Sequence, residues 1–167
     1  CDVQRTYRDL LGDAASLGEQ RSIAARYTPA CSGVVLYLGL DRQYPHLAHH
    51  NFLFSGDSVA EFDDIYAKGV PARDPTIYLC VPSRTDPDQA PKGGEAMYAL
   101  IHTPYQRGGQ RWEGAGGLLE QYRPVVIEKL KRFGMQDLEQ HIVLERHLSP
   151  ASIERLYNAE GGAIYGL

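Results

Sequence analysis

The stretch from Cys31 to Asp57, CSGVVLYLGLDRQYPHLAHHNFLFSGD, constrains the fold more than any other part of the chain. It enters on small residues (Cys31, Ser32, Gly33) and runs apolar from Val34 to Leu40, with only Gly39 interrupting. Turn chemistry breaks it from Asp41 to Pro45, and a second apolar burst follows at Phe52 to Phe54. β-branched and aromatic residues bounded by Gly, Pro and Asp predict a strand, a connection and a second strand. The later segments read as built to pack on this pair.

Two further strands are predicted. In Thr76 to Val81, Ile77, Leu79 and Val81 fall on one face while Thr76, Tyr78 and Cys80 fall on the other. Ala96 to Thr103 (AMYALIHT) reads the same way. Between them, Pro82 ends a strand, and the proline- and glycine-rich loop from Ser83 to Gly94 excludes regular structure. Helices are predicted over Asp2–Leu17, over Val59–Tyr66 with Ser58 as N-cap and Glu61 completing a capping box, and over Ser152–Asn158. Ser22–Tyr27 is ambiguous. The strongest helical stripe is Leu118, Leu119, Tyr122, Val125, Val126, Leu130 and Phe133, with Pro124 in the first turn or at a kink. Ile142–Arg146 adds a short strand, and His147–Pro150 a turn. Non-helical links between neighbouring strands favour antiparallel pairing. The predicted class is α+β: a mainly antiparallel sheet with helices on one face, in a single domain.

With 167 residues, one domain is expected, and a net charge of −4 argues against a dedicated nucleic-acid binder. No apolar run reaches the roughly 20 residues that span a bilayer. The start, CDVQRTYRDLL, lacks a basic region followed by an apolar one, so no signal peptide is expected. Cys1, Cys31 and Cys80 lack metal-ligand spacing and read as reduced thiols of a cytoplasmic protein. Cys1 in place of an initiating Met suggests a piece of something longer.

Candidate chemistry is sparse. His46, His49 and His50 form an H-x-x-H-H cluster, but no Cys or carboxylate is spaced to join them except Asp41, so no metal is expected. Arg84 and Asp86, on the loop after a strand, suit either a structural ion pair or a ligand contact. Tyr37, Tyr78 and Tyr98 lie mid-strand. Either they pack as core or, gathered on one face, they line an apolar cavity. The Gly93-Gly94 and Gly161-Gly162 pairs lack phosphate-loop spacing.

CSGVVLYLGLDRQYPHLAHHNFLFS, DPTIYLCVPSRTDPDQAP and LEQHIVLERHLSPASIERLYNAEGGAIYGL closely resemble, in order, the later half of bacterial-type phytoene desaturases. Those enzymes and their carotenoid desaturase and isomerase relatives are FAD-dependent oxidoreductases with an amine-oxidase-like fold. The resemblance implies that the chain is an internal substrate-binding segment of such an enzyme, which removes hydrogens from a long polyene hydrocarbon. It implies substrate contacts from Tyr37, His50, Tyr78, Arg84, Asp86 and Tyr98. It also places Gly161, Gly162 and Gly166 where the chain re-enters the flavin domain. FAD is expected in the longer parent, held with its other segments, and none is expected on this chain alone. The parent is expected to touch a membrane surface without spanning it. The alternatives are a non-catalytic apolar-ligand or interaction domain, and a related retinoid or carotenoid oxidoreductase.

Overall fold

Alternation of period two decides the architecture, because it splits the central strands into a buried and an open face. The computed structural model describes residues 2–11 and 17–166. Five strands form one antiparallel sheet: β1 (Ser32–Leu40), β2 (His50–Leu53), β3 (Ile77–Cys80), β4 (Glu95–Thr103) and β5 (Ile142–Leu148), in the order β2-β3-β4-β1-β5. Its spine is the pair of nine-residue strands β1 and β4, in register from Ser32↔Thr103 to Leu40↔Glu95. The α+β class and the mainly antiparallel sheet are as the sequence predicts.

One face carries the core. Leu36 and Leu38 of β1, Ile77 and Leu79 of β3, and Met97, Ala99 and Ile101 of β4 are buried there. They form one cluster with Trp112 and with Leu119, Tyr122, Val126, Ile127 and Leu130 of α4 (Leu118–Arg132). Each large aliphatic side chain so buried contributes about 1.5–3 kcal/mol. Val126 and Leu130 face the core as expected. Phe133 does not: it is the C-cap residue, 39% exposed, and Ile127 takes the buried place. Pro124 lies inside the helix, beyond its first turn.

Other boundaries move for local reasons. Asp57, not Ser58, caps α3 (Ser58–Phe62), accepting from the Ala60 amide at 3.0 Å. Glu61 is buried and turned away from any capping box, accepting instead from Thr76 N at 2.5 Å and Thr76 Oγ1 at 2.7 Å. The helix then continues as a π-helical stretch, Asp63–Lys68, closed by Gly69 at φ 68°. At the start, α1 (Val3–Arg5) runs on as Thr6–Leu10, and the rest of the predicted helix up to residue 16 lies outside the described residues. The ambiguous Ser22–Tyr27 falls mostly within α2 (Leu17–Arg26). A short helix, α5 (Leu138–His141), leads into β5, which extends into the predicted turn as far as Leu148. Ser149 and Ser152 then form a capping box on α6 (Pro150–Tyr157). Cys31 and Cys80 are free and buried; Cys1 lies outside the described residues.

Candidate functional site

The sheet's second face is the open one, and its aromatic residues gather there. Tyr37 and Tyr98 are directly paired across β1 and β4, with ring centroids 6.0 Å apart. Tyr98 meets Tyr78 of β3 edge-on at 5.8 Å, and Tyr78 meets Phe52 of β2 at 5.1 Å. His50 stacks on Tyr78 at 5.9 Å, its Nδ1 2.8 Å from the Tyr78 hydroxyl. The result is one aromatic row crossing four strands, about 14 Å wide at ~4.8 Å per strand. The three tyrosines thus share a face because each sits between two core-facing neighbours. Burial pushes the Tyr78 hydroxyl up, with hydrogen bonds to Tyr98 and Cys80 adding to it, so it stays protonated.

Along the strands the open face runs about 30 Å, from nine residues at ~3.3 Å each. At its Leu40 end lies an apolar cleft of about 520 Å³, walled by Tyr37, Tyr98, Pro91, Val143 and Leu144. Gly39 permits it: a Cβ there would stand 3.2 Å from Leu144 Cβ, tighter than ordinary packing. At the Ser32 end, the last described residues reach the face, with Tyr165 Oη 3.5 Å from His102 Nε2.

Arg84 and Asp86 are not paired with each other. Arg84 Nη2 lies 2.5 Å from Glu95 Oε1 and 2.5 Å from the Tyr44 carbonyl oxygen. Glu95 is 2% exposed and also accepts from the Tyr44 amide at 3.0 Å. Burial raises the Glu95 carboxyl against the opposing pull of Tyr44 and Arg84. Asp86 caps the short turn Pro87–Gln89, accepting from Gln89 Nε2 at 3.0 Å. Both residues therefore shape the loop beside the cleft, while Pro82 and Gln89 to Lys92 line it.

Gly161, Gly162 and Gly166 all have positive φ, at 60°, 71° and 78°. Gly162 accepts from Ser32 Oγ at 2.5 Å, Gly161 from the Gln106 amide at 2.7 Å, and Gly166 from the Ala30 amide at 2.8 Å. This turn ties the last described residues to the starts of β1 and the segment after β4. It does not suit a flavin's diphosphate. The Gly161 and Gly162 amides already donate to Glu154 and to Ala159 O, and the carboxylates of Glu154, Glu160 and Asp2 crowd the same turn.

Register creates one cluster that sequence spacing hid. His50 stands directly opposite Cys80, thirty residues on, and His49 is adjacent. His46 lies apart, its Nε2 2.9 Å from the Phe133 carbonyl oxygen.

No family model matches the chain. It is 43% identical over 169 residues to a 4,4'-diaponeurosporene oxygenase of Staphylococcus haemolyticus, covering 99% of this chain and 32% of that protein. A 4,4'-diapolycopene oxygenase of Methylomonas sp is 43% identical over 144 residues, 85% of this chain and 28% of the relative. A 4,4'-diaponeurosporene oxygenase of Staphylococcus aureus is 37% identical over 168 residues, at 99% and 32%. The chain spans about a third of the length of these relatives. Their names are those of oxygenases rather than desaturases.

Proposed function

We propose, from the third of their length that it shares with these carotenoid oxygenases, that the chain is a segment of a carotenoid-modifying oxidoreductase and forms the substrate-binding wall of a longer enzyme that oxidises an acyclic carotenoid. The aromatic row on the open face carries this reading. A polyene offers almost no polar handle, so its recognition rests on buried apolar area, at about 25 cal/mol per Å². An open face about 30 Å long suits an extended hydrocarbon laid along the strands, and the tyrosine and phenylalanine rings supply flat apolar contact. The cleft beside Tyr37, Tyr98 and Leu144 would take one end of the chain. In that setting Tyr37, Tyr78, Tyr98 and His50 contact substrate, whereas Arg84 and Asp86 hold the loop at the cleft's mouth.

The relatives' names favour oxygenation of the polyene over the dehydrogenation that the desaturase resemblance implies. A flavin would act as the electron carrier. Since Gly161 and Gly162 do not suit its diphosphate, it would be held by other segments of the longer enzyme. No described helix is long and apolar enough to cross a membrane. We read the enzyme as cytoplasmic, meeting its lipid-dissolved substrate at a membrane surface.

The test is to give the full-length enzyme 4,4'-diaponeurosporene in lipid vesicles and weigh the product. A gain of oxygen supports oxygenation; a loss of hydrogens alone supports desaturation. Tyr98→Ser should raise KM about tenfold, since one lost ring contact of ~1.4 kcal/mol is a factor of ten, and Tyr98→Phe should leave it near wild type. Unchanged KM in Tyr98→Ser would remove the open face from substrate binding.

A further inference from the structure

We infer that His49, His50 and Cys80 form a binding site for a thiophilic divalent cation, with Zn²⁺ the best match. This inference does not rest on the polyene reading, although His50 and Tyr78 enter both. One ring nitrogen from each histidine and Cys80 Sγ all lie within 4.8 Å of one another. The two imidazoles are 4.2 Å apart, centroid to centroid. Antiparallel register puts His50 and Cys80 on one face as a direct cross-strand pair, and His49 enters from the residue before β2. Two imidazoles and a thiolate are the donor set that zinc takes at ~2.0–2.1 Å and ~2.3 Å. On a tetrahedral ion such donors stand about 3.5 Å apart. Closing the present spacing needs side-chain shifts of about 1 Å, and His50 is exposed.

Outer partners are already in place. His49 Nδ1 lies 2.6 Å from Thr85 Oγ1, and His50 Nδ1 lies 2.8 Å from the Tyr78 hydroxyl. Hydrogen bonds of this kind fix ring orientation and raise ligand basicity at metal centres. Cys80 is 4% exposed at the base of the cluster, so the ion would sit between a buried thiolate and an exposed imidazole. Three protein ligands leave a fourth position to water. Mg²⁺ and Ca²⁺, which require oxygen ligands, are poor matches. A bound ion would clip the four-residue edge strand β2 to β3 and, through Thr85, to the loop after it.

Co²⁺ is the spectroscopic probe, because a cysteine ligand gives a thiolate-to-cobalt charge-transfer band that histidines alone do not. The purified protein, titrated with Co²⁺ and then back-titrated with Zn²⁺, should show one saturable site whose band Zn²⁺ abolishes. Metal binding should release protons as the thiol ionises. Cys80→Ser should remove the band and His50→Ala should weaken binding at least tenfold, whereas Cys31→Ser should leave both unchanged. Thr85→Ala, on the exposed loop, should weaken binding about tenfold by freeing the His49 ring. Cobalt binding without a thiolate band, a band that survives Cys80→Ser, or no saturable binding would each overturn the inference.

Discussion

Removing the Arg84 side chain should cost stability through Glu95. In Arg84→Ala, a carboxylate that is 2% exposed loses its cation at 2.5 Å and keeps only the Tyr44 amide at 3.0 Å. Breaking a buried ion pair by removing one partner costs about 3–5 kcal/mol. The Arg84 side chain is 24% exposed, so water reaches the vacated space, and the lower figure of about 3 kcal/mol applies. For a chain of this length, at 2–4 °C per kcal/mol, Tm should fall by about 6–12 °C. The deficit should depend on pH in a definite direction. Glu95 is raised in the folded state by burial, so protonation favours folding and the penalty of its charge is absent at low pH. The gap between variant and wild type should therefore be small below the unfolded carboxyl value of about 4.3 and grow as pH rises through the folded one. Urea unfolding followed by the fluorescence of Trp112, the single tryptophan and 1% exposed, reads this directly. Arg84→Ala combined with Glu95→Gln should recover most of the loss. A deficit that is constant from pH 4 to pH 8, or a double variant as unstable as the sum of its parts, would refute the reasoning.

Pro124→Ala, exposed within α4, should stabilise the protein by up to about 3 kcal/mol in the same unfolding assay, because it restores an amide donor and removes a clash. Gly162→Ala should destabilise by more than about 2 kcal/mol, since φ is 71° there and a Cβ would collide with the Pro150 carbonyl group. Thr76→Val should lower stability by about 2 kcal/mol by taking one donor from the buried Glu61 carboxylate, and Glu61→Leu added to it should not worsen the loss by the same amount again.

The sheet was legible because its information is local: alternation within Val34–Leu40 or Thr76–Val81 assigns each side chain to a face without reference to its neighbours. The shared face of Tyr37, Tyr78 and Tyr98 follows from the same rule once the strands are known to pair. Register is different, because it joins residues far apart in the chain. His50 opposite Cys80 depends on where β2 meets β3, and Arg84 facing Glu95 depends on how the loop folds back on β4. Proximity in sequence offers Asp86 as one partner for Arg84, whereas the strongest pull on a guanidinium is the carboxylate that burial leaves most in need of a cation. The capping error at Ser58 has the same origin: the buried Glu61 answers to Thr76, fifteen residues on, rather than to its own helix.

Both edges of the sheet are poor templates for another strand. β2 offers four residues, and β5 breaks register at Gly39/Leu40 and carries Glu145, Arg146 and His147 in succession. Short length, a bulge and charge are the features that discourage lateral growth of a sheet. A second polypeptide meeting either edge is thus steered away from strand addition, and the sheet keeps its own width.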